Sequence, residues 1–225
     1  MNEISLPGYW LIFVNALFTF NGFRDVNFLN KYSFKIDEIL IHKDYKRLVS
    51  SGFLHVNWLH FLMNMASLYF FSEIIIISLG IVPFFIIYFI SLIGGYLLAL
   101  YVHRNHSDYS AIGASGAVCG LIFGCIALYP ENNIYFFGLE LPGWLFGIIY
   151  VLLTISGIRT NASNIGHEAH LGGGIVGLLL SLAFFPAAIL DNYIPILLIV
   201  VPSFAFIIYI IYRPAALIID GAKKQ

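Results

Sequence analysis

Two short motifs carry the side chains best suited to nucleophilic catalysis. Gly113–Gly116 (G-A-S-G) places Ser115 at the start of an apolar run, where we expect a helix to begin. The free N–H groups and the positive dipole end of such a helix can stabilise an oxyanion. Gly166–Gly173 (G-H-E-A-H-L-G-G) opens a later apolar run and contains His170, which can take the serine proton and return it to a leaving amine. Taken alone, Ser115 also fits a capping serine beside packing glycines.

A second histidine in the later motif allows a metal-site alternative. His167, Glu168 and His170 are all possible metal ligands, but H-E-A-H is one residue shorter than the H-E-x-x-H motif of zinc peptidases. His167 lies nearer the expected membrane surface, and we interpret it as structural. Ionisable groups are costly in lipid, so an imidazole deeper in an apolar run is a functional candidate. We therefore favour His170 as a general base and expect no metal.

A third polar cluster begins an earlier apolar run. His60 and Asn64 are four residues apart, so both side chains project from one helix face. Two hydrogen-bond donors that face one way fit an oxyanion hole, although each also fits an ordinary interhelical hydrogen bond. We interpret His55 and Asn57 as structural or interfacial residues.

The composition indicates that these motifs lie in a membrane protein. Of the 225 residues, 60% are hydrophobic and 10% are charged, whereas a soluble domain carries about 25% charged residues. The net charge of −1 gives no reason to expect nucleic acid as a partner. Continuous apolar runs, rather than alternating ones, favour helices. Seven spans are predicted: Pro7–Gly22, Asn57–Ile77, Gly80–Val102, Ser115–Tyr129, Gly143–Ile158, His167–Pro186 and Asn192–Tyr212.

These spans predict a single polytopic membrane domain over residues 1–225. Its core covers about residues 7–186, and an extra C-terminal helix covers about residues 192–212. No basic segment of the secretory type precedes the first span, which we expect to remain as an anchor. The connections are short except near Phe23–Arg47, so successive helices are expected to pack as antiparallel neighbours. Cys119 and Cys125 lie six apart in one span, and we expect no disulfide between them.

The fourth span is too short to cross the membrane. Its roughly fifteen residues give about 22 Å of helix, against about 30 Å of hydrocarbon core. The start of this span, at Ser115, should therefore lie below the membrane surface. Irregular backbone at that depth must be buried in protein or line a water-filled cavity, so we expect a wet pocket there.

Glycines are expected to bring the serine and histidine helices together. Small residues recur at Gly116, Gly120 and Gly124 on the fourth span and at Gly173 and Gly177 on the sixth. Such stripes allow helix backbones to approach closely in lipid. Because both stripes begin beside the candidate pair, close packing should bring the histidine Nε2 within hydrogen-bond reach of the serine Oγ.

Over roughly residues 46–185, the chain resembles the rhomboid family of intramembrane serine proteases. Three separated motifs, in the family's order, carry the resemblance: His60 and Asn64 (H-x-x-x-N) with His55 five residues before, Gly113–Gly116, and Ala169-His170 with Gly173 and Gly177. Each motif alone is weak, whereas all three on separate predicted membrane helices are specific.

The resemblance implies an all-α membrane protein with a rhomboid-like six-helix core and a seventh C-terminal helix. It implies a dyad in which Ser115 attacks the scissile carbonyl and His170 acts as base and acid. The Ser115 backbone, His60 and Asn64 would hold the oxyanion. The expected partners are transmembrane protein substrates within the lipid bilayer, the expected location is the cell membrane, and no cofactor is implied.

Three positions depart from the family's pattern. Cys119 stands one turn after Ser115, where an aromatic residue that packs on the base histidine is common. Lys46-Arg47 stands in the long first loop, where Trp-Arg is frequent, and Glu73 lies about three residues before a common glutamate. None of these changes removes a reacting group. The other classes left open are an inactive rhomboid-like binding or quality-control protein, an intramembrane metal-dependent protein, and a transporter or channel.

Charge placement leaves the membrane orientation open. All 11 Lys and Arg fall on the predicted side of the serine and histidine: those within Arg24–Arg47, then Arg104, Arg159, Arg213, Lys223 and Lys224. The opposite side carries acids: Glu3, Glu73, Glu131, Glu140 and Asp191. The positive-inside rule would make the basic side cytoplasmic. The family resemblance implies that the active site faces outward.

Overall fold

The structure, a computed structural model, describes residues 6–136, 138–160 and 166–212. The long helices are α1 Leu6–Arg24, α5 Trp58–Leu79, α6 Ile81–His103, α7 Ser115–Leu128, α8 Gly143–Thr160, α9 His167–Phe184 and α11 Tyr193–Tyr212. The shorter elements are α2 Val26–Tyr32, β1 Phe34–Lys35, α3 Ile36–Leu40, α4 Arg47–Ser50, β2 Ser110–Ala111, β3 Asn133–Phe136, β4 Leu139–Pro142 and α10 Ala187–Asp191. Glu3, Arg213, Lys223 and Lys224, which entered the charge comparison, lie outside the described residues.

The chain is a multi-pass membrane protein, as its composition predicts. Within the described residues, 5 helices are long and apolar enough to cross a membrane, namely α5, α6, α8, α9 and α11. The seven predicted spans coincide with the long helices to within two residues at each end. α1 packs its Gly8 against Ser72 of α5, and its crossing of the membrane stays a prediction. The all-α membrane fold is confirmed.

The short helix α7 lies at the centre of the bundle. Every side chain in it except Ser115 and Ile122 is buried. It packs most extensively against α9, and α6 packs against both of them. α8 follows α7 in the chain but contacts it little, so the expectation that successive helices pack as neighbours is wrong for this pair. Burial on nearly all sides suits a helix of 14 residues, which is too short to span the hydrocarbon core by itself.

The glycine stripes lie where α7 and α9 meet. A Cβ atom at Gly173 would overlap the backbone of Gly116, and one at Gly177 would overlap the backbone of Gly120. A Cβ at Gly124 would overlap a serine side chain of α9. The close approach expected from the two stripes is therefore present, and it sets the spacing of the residues at the start of each helix.

The long connection between α1 and α5 is folded against the segment that precedes α7. β1 and β2 pair antiparallel, with Phe34 opposite Ala111 and Lys35 opposite Ser110. This two-stranded sheet was not predicted from the sequence, because two-residue strands have no periodicity to detect. The pairing fixes the backbone just before Ser115.

Arg47 holds the same connection together. Its guanidinium donates hydrogen bonds to the carbonyls of Asn30 at 2.8 Å and Ser33 at 2.7 Å. It also forms an ion pair with Asp44 at 3.0 Å, although its side chain is only 7% exposed. A buried guanidinium needs this many acceptors to offset its desolvation. Arg47 therefore has a structural role in the connection between α1 and α5.

The seventh helix packs on one side of the core. α11 contacts mainly α8, where a Cβ at Gly147 would lie 2.6 Å from Ile199. Asn192, just before α11, donates to the carbonyls of Ala127 and Leu128 at 3.1 Å each. These bonds satisfy carbonyl groups at the C-terminal end of α7, which receive no hydrogen bond from N–H groups of the helix itself.

Candidate active site

Ser115 begins α7 after a turn that only glycine tolerates well. Gly113 has φ +142°, in the region that L side chains rarely adopt. Its N–H donates to the carbonyl of Ser51 at 3.0 Å, and its carbonyl accepts from Tyr96 at 3.2 Å. The turn is thus fastened to two other elements, and it delivers Ser115 to the first helical position with a side chain that is half-buried.

Ser115 and His170 are within hydrogen-bond distance. His170 Nε2 lies 2.8 Å from Ser115 Oγ. The two residues are held together because α9 approaches α7 closely, so that a Cβ at Gly116 would lie 3.2 Å from the carbonyl oxygen of Ala169. Both side chains remain partly exposed, and the pair is therefore accessible from the surface of the described fold. The hydrogen bond expected from the glycine stripes is present, and a catalytic role for the pair stays a prediction.

His60 faces the same turn from α5. The His60 ring and Ser115 Oγ both lie within 4 Å of the position that a Cβ of Gly113 would occupy. A side chain at residue 113 would collide with the ring, since that position is 2.8 Å from His60 Cε1. Glycine is therefore required at residue 113 for two reasons: it allows the unusual backbone angle, and it leaves space for the His60 imidazole.

Asn64 lies one turn further along α5 and is buried. Its amide Nδ2 donates to the carbonyl of His60 at 2.9 Å. An amide group has two N–H donors, so one remains for a further acceptor. His60 and Asn64 are adjacent on one helix face, as their spacing predicts, and their role as oxyanion donors stays a prediction.

His55 supports His60 from the connection before α5. His55 is 1% exposed, and its Nδ1 lies 2.9 Å from Thr19 Oγ1. The ring packs edge-on against the His60 ring, with 5.1 Å between centroids. Burial, together with the nearby His60, lowers the pKa of His55 to about 3. A neutral ring is therefore the stable form at this place.

The residues of the metal-site alternative point to different partners. Glu168 is buried, and its Oε1 lies 3.2 Å from Nε2 of His103 at the end of α6. His167 packs against Gly157 of α8, and His170 contacts Ser115. Within the described residues, no group of three His, Cys, Asp or Glu side chains is arranged to hold a metal ion.

One residue beside His170, Tyr150, is not part of any motif found in the sequence. Tyr150 of α8 places its Oη 3.0 Å from His170 Nδ1 and 3.1 Å from Cys119 Sγ. The two rings are 6.2 Å apart and tilted by 34°. The aromatic side chain near His170 thus comes from α8 rather than from the position one turn after Ser115. Tyr150 could have been noticed in the sequence as a tyrosine inside an apolar span, because a buried phenol usually has a hydrogen-bond partner.

The chain is similar to known proteins over most of its length. Residues 42–187 match the model of the Rhomboid domain, a segment that contains both Ser115 and His170. The chain is 32% identical over 162 residues to rhomboid protein 1, mitochondrial, of Saccharomyces cerevisiae, which covers 68% of this chain and 45% of that protein.

Two plant proteins are also similar. RHOMBOID-like protein 12, mitochondrial, of Arabidopsis thaliana is 32% identical over 150 residues, covering 59% of this chain and 44% of the relative. RHOMBOID-like protein 4 of the same plant is 35% identical over 136 residues, covering 60% and 32%. The matched regions thus span less than half of each relative. Since the domain match extends over most of the chain, this protein belongs to the rhomboid family.

Proposed function

We propose that the protein is an intramembrane serine endopeptidase that cleaves transmembrane segments of other membrane proteins. The observation that carries the proposal is the 2.8 Å separation of His170 Nε2 and Ser115 Oγ at the start of a short helix inside an apolar bundle. An imidazole in hydrogen-bond contact with a serine hydroxyl is the arrangement that activates a serine nucleophile. The cell membrane is the proposed location.

In the first half of the reaction, His170 accepts the Ser115 proton while Oγ bonds to the scissile carbonyl carbon. The carbonyl oxygen becomes an oxyanion, held by the Ser115 N–H and by donors from His60 and Asn64. The tetrahedral intermediate collapses when His170 returns the proton to the amide nitrogen, the C–N bond breaks, and an acyl-enzyme remains. A water molecule then gives a proton to His170 and attacks the acyl carbon. The bond from that carbon to Ser115 Oγ breaks, Oγ takes the proton back from His170, and the carboxylic acid product leaves.

The substrate must expose a peptide bond to this site. Within a helix, each amide is hydrogen-bonded and enclosed by neighbouring turns, so the segment has to unwind locally before Ser115 can attack. A partly exposed dyad at the start of a short helix suits this requirement, because water and unwound backbone can meet there. Transmembrane segments that contain helix-weakening residues are therefore the expected substrates.

A fluorophosphonate probe tests the proposal directly. The probe should label the wild-type protein at Ser115, and the label should be lost in Ser115→Ala and His170→Ala. Ser107→Ala and His42→Ala change exposed residues of the same types and should label normally. Both active-site variants should also stop cleavage of a model transmembrane substrate while inserting normally into the membrane.

The result also separates the proposed enzyme from an inactive relative. Retained cleavage in Ser115→Ala would rule out the serine mechanism. A folded wild-type protein that neither labels nor cleaves would favour a binding or quality-control role for this chain.

A further inference from the structure

The second ring nitrogen of His170 is engaged by a hydroxyl group. Tyr150 Oη lies 3.0 Å from Nδ1, opposite the 2.8 Å contact between Nε2 and Ser115. The same Oη lies 3.1 Å from Cys119 Sγ. Side chains of α7, α8 and α9 thus form a continuous chain of polar contacts from Ser115 through His170 and Tyr150 to Cys119.

Only one set of proton positions lets His170 act as a base. To accept the serine proton, Nε2 must carry a lone pair, so the neutral ring carries its hydrogen on Nδ1. That N–H donates to Tyr150 Oη. The phenol hydrogen is then free to point at the Cys119 sulfur, which is a weak acceptor. The polar hydrogens of Ser115, His170 and Tyr150 therefore each have an acceptor.

Packing holds the phenol in this place. The Tyr150 ring lies 5.6 Å from the Phe146 ring one turn earlier on α8, and 5.7 Å from the Phe123 ring of α7. Gly147, on the same helix, is packed against Ile199 of α11. The Tyr150 ring is thus held by these two aromatic contacts, and α8 itself is packed on another side by the seventh helix.

We propose that Tyr150 is a positioning residue that fixes the tautomer and ring orientation of His170, an inference that rests on the proposed serine-protease function. The hydroxyl acts through His170 and does not touch the reacting atoms. A neutral phenol offers one hydrogen bond and no counter-charge to the imidazolium. Its removal should therefore slow the reaction about three- to ten-fold, the range expected for one neutral hydrogen bond.

Tyr150→Phe tests the inference because it removes the hydroxyl and keeps the ring. We expect kcat for a model transmembrane substrate and the rate of fluorophosphonate labelling to fall by the same factor, with KM unchanged. Thr154→Val, a loss of a buried hydroxyl one turn along α8, is the matched control and should keep wild-type rates. Cys119→Ala should give a smaller fall in the same direction, since it removes only the acceptor for the phenol.

NMR of the imidazole groups in protein labelled with ¹⁵N-histidine detects the contact between His170 and Tyr150 independently of enzymatic activity. The hydrogen-bonded Nδ1–H signal of His170, assigned by its absence from His170→Asn, should persist in Thr154→Val and shift upfield in Tyr150→Phe. Wild-type kcat and labelling in Tyr150→Phe, or an unchanged Nδ1–H signal, would overturn the inference while leaving the protease intact. A wild-type protein that never labels would instead remove the proposed function, and the positioning role with it.

Discussion

At the scale of single residues, Gly113, His60 and Ser115 form one local unit. The glycine supplies the backbone angle that starts α7 and leaves room for the imidazole of α5. Asn64 follows on the same face of α5. This arrangement is suited to hold negative charge that develops next to Ser115.

His60→Ala and Asn64→Ala should each slow cleavage by about 10- to 10³-fold without stopping it, because removal of one oxyanion donor weakens transition-state stabilisation by up to about 4 kcal/mol. Steady-state cleavage of a model transmembrane substrate measures the effect. His42→Ala, a change to an exposed histidine of the first connection, should leave the rate unchanged. Full activity of both variants would mean that backbone N–H groups suffice.

His55 should make the stability of the fold depend on pH. Its folded pKa is about 3, below the ordinary value of 6.5, so the unfolded chain binds a proton between these values and the folded chain does not. The resulting stability is complete above about pH 6.5 and decreases as the pH falls towards 3, by an amount on the order of a few kcal/mol.

Thermal unfolding in detergent at a series of pH values measures this dependence. His55→Asn keeps a group able to bond Thr19 but cannot titrate, so its melting temperature should change less between pH 7 and pH 4 than that of the wild type. Parallel curves for the two proteins would show that other groups cause the acid sensitivity.

At the scale of helices, the site depends on how closely α9 approaches α7. The first turn of α9 is fixed twice, by the glycine contacts with α7 and by the buried polar contact between Glu168 and His103 of α6. The Tyr109 ring stacks on His103 with centroids 3.6 Å apart. Three segments thus determine where His170 lies.

Gly173→Ala should separate the two helices and weaken the site, because its methyl group has no room beside the backbone of Gly116. Overpacking of this kind costs about 1–3 kcal/mol, and a displacement of about 1 Å can slow a reaction about 10²-fold. Melting temperature and the rate of fluorophosphonate labelling should both fall. Gly166→Ala is the control, since its Cβ would meet other atoms only at an ordinary 3.9 Å.

Glu168→Ala should destabilise the bundle by about 1–3 kcal/mol, because it leaves the buried Nε2 of His103 without its polar partner. The loss should be non-additive with His103→Ala, since the second substitution removes a bond that is already broken. Melting temperatures of the two single variants and the double variant measure the coupling. Asp108→Ala, at an exposed acid nearby, should have little effect, and strictly additive losses would argue against the pair.

At the scale of the whole molecule, one end of the bundle carries the site, the folded first connection and the described basic residues. β1 and β2 tie that connection to the segment before Ser115. Arg47, Arg104 and Arg159 lie in elements at this end. The membrane orientation of the protein therefore also determines which side of the membrane the Ser115–His170 pair faces.

We expect this end to face outward, as the resemblance to the rhomboid family implies, whereas the positive-inside rule would place the basic residues on the inner side. Lys43→Cys, exposed in the first connection, should react with an impermeant thiol reagent on intact cells that express the protein. Glu131→Cys, at the other end, should react only after permeabilisation. The two native cysteines are buried and should contribute little background. The reverse pattern would place the site on the inner side.

The sequence alone determined the class of fold and the helix boundaries. Apolar runs of about 20 residues allow only helices in lipid, so the ends of α5, α6 and α9 followed from local composition. Ser115 and His170 were identifiable because polar groups are rare in such runs. Their hydrogen bond was predictable because the two glycine stripes begin next to them.

Only the tertiary structure decided which other side chains surround that pair. Tyr150 lies 20 residues before His170 in the chain, and nothing in the apolar pattern of α8 shows which way its hydroxyl points. The pairing of Glu168 with His103 and of β1 with β2 likewise joins segments that are distant in sequence. Composition and periodicity report the local environment of a residue, whereas these contacts depend on the rotation and packing of whole helices in the bundle.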